Sequence, residues 1–68
     1  MSRFEELSVG DVVVGEVTGL APFGVFVRIA DGADGLLFGE TGPGIGVRVS
    51  VRILEIDPVK RRASLAKE

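Results

Sequence analysis

The chain of 68 residues contains no cysteine, histidine, tryptophan or tyrosine, and four phenylalanines are its only aromatic residues. The lack of cysteine rules out a disulfide staple and a thiolate metal site, and it favours a reducing compartment. Without histidine, acid–base chemistry near neutrality falls to scattered carboxylates, and nothing pairs a nucleophile with a base. A non-enzyme that needs no cofactor is the expectation. Turn acids such as Asp31 and Asp34 do not follow the ligand order of a calcium loop, so no metal is expected either. No apolar run approaches the ~20 residues of a membrane span, and Met1–Val9 lacks a signal-peptide pattern. These absences point to a cytoplasmic protein with no membrane partner.

Glycine, by contrast, is plentiful at ten residues, and valine recurs throughout. That composition favours short strands and tight turns over helices. The length suits one domain over residues 1–68, with a small core drawn from about 7 to 66, and a monomer is expected. The net charge of −2 argues mildly against a nucleic-acid partner. It conceals an asymmetry, however. Residues 1–46 carry two cations against seven anions, whereas residues 47–68 carry six cations against three anions. Screening reaches only about 8 Å at physiological salt, so a local basic face would still act on a phosphate chain.

Alternation marks the strands. A first strand runs from Val12 to Leu20, with Gly15 suited to a bend or bulge where one strand serves two sheets. Gly19, Pro22 and Gly24 build a hairpin turn into a second strand, Val25 to Ala30. The group Asp31-Gly32-Ala33-Asp34-Gly35 reads as a turn, and Leu36 to Phe38 as a brief third strand. The glycine-rich connection Gly39–Gly46 excludes a helix of useful length. In the fourth strand, Val47 to Asp57, Val47, Val49, Val51 and Ile53 point inward, and a phase slip predicts a bulge near Ile53-Leu54. After a turn at Pro58–Arg61, a fifth strand runs from Arg62 to Ala66 with Ala63 and Leu65 inside. Phe4 and Leu7 are placed to seal one end. The sum is an all-β, five-stranded antiparallel barrel of the oligonucleotide/oligosaccharide-binding (OB) type, with an SH3-like barrel as the topological rival.

In the second strand Val25, Val27 and Ile29 share one face while Phe26 and Arg28 share the other. The aliphatic face has to be the core, which leaves Phe26 in solvent beside a cation, with Phe23 just before it. Exposed rings on a small barrel suit stacking of nucleic-acid bases. The guanidinium groups of Arg28, Arg48, Arg52, Arg61 and Arg62, together with Lys60, form a pool suited to phosphates, although any single one of them is better read as an ordinary solubilising charge. Gly42-Pro43-Gly44-Ile45-Gly46 opens a strand and lacks the Lys-Ser/Thr of a phosphate loop, so it is read as a connector.

Val9-Gly10-Asp11-Val12-Val13, Gly15-Glu16-Val17, Phe23-Gly24-Val25-Phe26-Val27, Gly35-Leu36-Leu37 and Val51-Arg52-Ile53-Leu54-Glu55-Ile56-Asp57 through Arg62-Ala63-Ser64-Leu65 resemble the S1 RNA-binding domain. The resemblance spans about Leu7 to Ala66. It implies an OB barrel that binds single-stranded RNA without strict sequence preference, in a ribosome-associated or RNA-processing setting. It also implies contacts from Phe23 and Phe26, from Phe38 where the family usually has histidine, from the acidic Asp57, and from Arg62 with Arg61 as its substitute. In this chain the Gly39–Gly46 connection stands where the family has a short helical turn, which removes a wall beside the RNA face. The acidic first two-thirds favours a different reading, a module that docks on the ribosome or an RNA-processing complex through protein contacts. Single-stranded DNA would suit the same stacking surface.

Overall fold

Aliphatic residues at alternate positions give the chain five strands, each with one side to bury. The computed structural model describes residues 3–39 and 44–68. A three-residue 3₁₀ turn, Phe4–Glu6, precedes β1 (Val12–Ala21), β2 (Gly24–Ala30), β3 (Ala33–Phe38), β4 (Arg48–Asp57) and β5 (Arg62–Lys67). They close into a barrel in the order β1-β2-β3-β5-β4.

The expectation of a wholly antiparallel barrel is corrected at one seam, since β3 and β5 run parallel. The reason is parity. Neighbours that alternate in direction around a ring must be even in number, so five strands leave one parallel junction. The β1–β2, β2–β3, β4–β5 and β1–β4 pairs take up the antiparallel ones.

The first strand closes the barrel by serving two neighbours. Val12–Glu16 pair with β4, and Glu16–Ala21 pair with β2. Gly15 lies at the changeover, where β2 passes so close that a Cβ would stand 2.6 Å from the Arg28 carbonyl oxygen and against Val27 Cγ1. The register slip itself falls two residues later, between Val17 and Gly19.

Within the barrel, Val17, Val25, Val27, Ile29, Leu37, Val51, Ile53, Ala63 and Leu65 form one cluster. The slip expected at Ile53-Leu54 is there: Ile53 pairs with Leu65 and Glu55 with Ser64, which leaves Leu54 unpaired and exposed. Phe4 seals the end as anticipated, packed on Ala30 and Ala33 with Leu7 and Ile56 beside it.

Three local expectations change. The third strand begins at Ala33, because only Asp31 and Gly32 make the turn. The hairpin turn is Pro22-Phe23 alone, with Gly19 inside β1. Val47 is not buried; it precedes β4 and is 45% exposed. Residues 40–43 of the glycine-rich connection lie outside the described residues.

Candidate nucleic-acid interface

The outward side chains of β2, β3, β5 and β4 line a groove of about 420 Å³. Strand register arranges them in two rows. One crosses the sheet as Arg28, Asp34, Arg62 and Asp57, so that cation and anion alternate. The next row, roughly 6.6 Å along the strands, reads Phe26, Leu36, Ser64 and Glu55. Phe38 follows Leu36 two residues further along β3 and extends the apolar side of the groove.

All three rings are exposed, and Phe26 faces outward as the alternation of β2 requires. Phe26 is 38% exposed although its strand neighbours Val25 and Val27 are buried. Its ring lies over Gly19 of β1, where a Cβ would approach Phe26 Cδ2 to 3.3 Å. A residue without a side chain therefore clears the floor for this ring. Phe23, in the hairpin turn, meets Phe38 with ring centroids 6.1 Å apart at 31°. Both are more than half exposed, at 54% and 58%. This tilt makes an extended apolar platform next to the groove.

Arg62 lines the groove and faces Asp34 and Asp57 in register, yet no ion pair or hydrogen bond engages its side chain among the described residues. Its charge is available to a ligand. Asp57 also lines the groove and at the same time holds the turn that follows it: its Oδ1 accepts from the backbone N–H groups of Val59, 3.1 Å, and Lys60, 3.2 Å. Arg28 stands at the groove's margin between Glu16 and Asp34.

Arg61 is not brought to this site. Its guanidinium donates to Glu5 Oε1 at 2.7 Å and to the Asp31 carbonyl at 3.2 Å, and it lies 5.0 Å from the centre of the Phe4 ring. The Arg61 hydrogen bond holds the Glu5 carboxyl below its ordinary range. Arg52 is engaged as well, in a two-pronged contact with Glu68 at 2.8 and 3.0 Å. That hydrogen bonding lowers the Glu68 carboxyl and raises Arg52.

Besides Gly35, Ile56 and Ala63, sequence reasoning passed over four lining residues with outward side chains: Asp34, Leu36, Glu55 and Ser64. A signal for them existed. Each is an outward position on a strand whose inward residues are aliphatic or small, and register with Phe26 or Arg62 brings them to one place.

The chain is similar to several known proteins. A family model described as the S1 RNA binding domain matches residues 6–68. The small ribosomal subunit protein bS1 of Mycobacterium tuberculosis is 33% identical over 70 residues, which covers 87% of this chain and 15% of that protein. A polyribonucleotide nucleotidyltransferase of Pseudothermotoga lettingae is 58% identical over 36 residues, 53% of this chain and 5% of that enzyme. GSP13 from Bacillus subtilis has a solution structure similar to this one, with a TM-score of 0.79 at 30% identity, covering 91% of this chain and 56% of that one. The chain thus spans a small fraction of the two curated relatives.

Proposed function

The chain belongs to the S1 RNA binding domain family, and on that premise we propose that its phenylalanine-lined groove binds single-stranded RNA with little sequence preference. The observation that carries this reading is the convergence of Phe26, Phe38 and an unengaged Arg62 in one groove, with Phe23 beside it. Phe23, Phe26 and Phe38 are read as stacking platforms, worth ~1–3 kcal/mol for each base laid on them. Arg62 and Arg28 are read as phosphate contacts, since a guanidinium pairs with phosphate oxygens in a fork. Asp57 orients the turn that delivers Arg62. Arg61 is left out of the contact set because Glu5 and Phe4 occupy it.

The domain is read as a binder without catalysis of its own, monomeric and cytoplasmic, one unit over residues 1–68. Its relatives include a ribosomal subunit protein and a nucleotidyltransferase of polyribonucleotides, so an RNA-processing or ribosomal setting fits. A docking module held by protein contacts is the second reading. The carboxylates of Asp34, Glu55 and Asp57 around the groove favour it, because they repel a phosphate chain.

Titration with a short single-stranded RNA, followed by backbone amide shifts, tests the proposal. Shifts should gather at Phe23–Phe26, Leu36–Phe38 and Arg62–Ser64, and Phe26→Ala should weaken binding by roughly tenfold. Shifts confined to the outer face of β1 and β4, or none at millimolar RNA, would refute it.

A further inference from the structure

Stacking on phenylalanine does not tell one base from another, because every base offers a π-face. Selection has to come from the polar groups that a stacked base meets at its edge. In this groove those groups are three carboxylates, a single guanidinium and the Ser64 hydroxyl among the described residues. Asp57 is committed to its own turn through one oxygen. Glu55 differs. Its side chain bonds to no described residue, and it closes the register row that begins at Phe26 and passes through Leu36 and Ser64. That row is three strand spacings wide, roughly 14 Å. A base resting on Phe26 and lying across Leu36 would turn its hydrogen-bonding edge toward Ser64 and Glu55.

Resting on the RNA-binding reading above, we propose that Glu55 is a specificity-determining residue that biases this groove toward bases with an exocyclic amino group and against uracil. An ionised carboxylate can only accept hydrogen bonds. Cytosine N4 and adenine N6 each offer it a donor. The one edge donor of uracil, N3–H, lies between two carbonyl oxygens that a carboxylate repels. The Ser64 hydroxyl donates or accepts and accommodates either partner. The bias concerns a class of base at one position, so it coexists with binding of many sequences.

Fluorescence anisotropy with short labelled oligocytidylate and oligouridylate at low salt tests this inference on the full chain. The wild type should bind oligocytidylate about five- to tenfold more tightly, at the lower end of what a base-edge pairing discriminates. Glu55→Gln, whose amide donates as well as accepts, should bring the two affinities within about twofold, mainly by improving oligouridylate. Asp34→Asn, the other unbonded carboxylate of the groove, should strengthen both alike and leave their ratio unchanged. Equal affinities in the wild type overturn the assignment of Glu55 and leave RNA binding standing, and so does a ratio moved equally by both variants. Failure to bind either oligonucleotide overturns both readings.

Discussion

Gly15 and Gly19 lie four residues apart on β1, and each lacks a side chain for a different reason. A Cβ at Gly15 would meet backbone, the Arg28 carbonyl oxygen at 2.6 Å, together with the buried Val27. Neither can retreat without opening the β1–β2 seam. At Gly19 the obstacle is the rim of the Phe26 ring at 3.3 Å, and that ring is partly in solvent and free to tilt. Substitutions at the two sites should therefore separate fold from function. Gly15→Ala is expected to lower unfolding free energy by ~1–3 kcal/mol, the cost of forcing atoms into a packed seam. Gly19→Val should leave stability within about 1 kcal/mol, since valine suits a strand. It should nonetheless weaken RNA binding several-fold by lifting Phe26 off its seat. Urea denaturation and an anisotropy titration on each variant measure both effects. Equal stability losses at the two glycines would contradict this account.

At the level of elements, the turn between β4 and β5 anchors the barrel's closed end. Arg61 takes a positive φ of 54°, a conformation that an L residue with a long side chain adopts rarely. Its guanidinium, spread over Phe4 and bonded to Glu5, holds it there. Because the Arg61 hydrogen bond lowers the Glu5 pKa below 4.5, this clamp stabilises the fold above that value. The contribution is lost as pH falls through the lowered folded value. Glu68, held by Arg52, acts in the same direction. Glu5→Gln should accordingly lose less stability than the wild type between about pH 6 and pH 3, with urea midpoints as the readout; parallel losses would mean that the clamp is idle. The sequence disclosed the Ile53-Leu54 slip and the five strands through the alternation of apolar residues, and the Phe4 seal through apolar residues standing in a polar lead-in. It did not disclose the start of β3. Asp31 through Gly35 has turn composition, yet Ala33 and Gly35 face inward because Phe4 and Leu65 fill the space beside them. Nor did it disclose the parallel seam, the partners of Arg61, or the row that unites Phe26 with Glu55. Those depend on strands distant in the chain coming into register.

Across the whole molecule, register also rearranges charge. The acidic first part and the basic last part of the chain do not form separate faces, because pairing sets them against each other. Arg48 lies opposite Glu16, Glu16 opposite Arg28, Arg28 opposite Asp34, Asp34 opposite Arg62 and Arg62 opposite Asp57. Six exposed side chains of alternating sign thus wind around the barrel in a spiral that starts and ends on β4, at Arg48 and Asp57, an arrangement in which opposite charges face each other across strands and any slip by one residue would be disfavoured. Such a girdle leaves no broad positive field to steer a polyanion. Affinity for RNA must then rest on rings and on very few phosphate contacts, which fixes its salt dependence. With Arg62 and Arg28 contributing about two contacts, log K should fall against log salt with a slope near −1.4, using about −0.7 per contact for a single strand. Arg62→Ala should cut that slope to about −0.7. A slope near zero in the wild type would favour protein docking through an apolar patch. A slope steeper than about −4 would mean that cations beyond the groove, such as Arg48 or Lys60, follow the strand. In that case the alternating girdle would not limit the phosphate path.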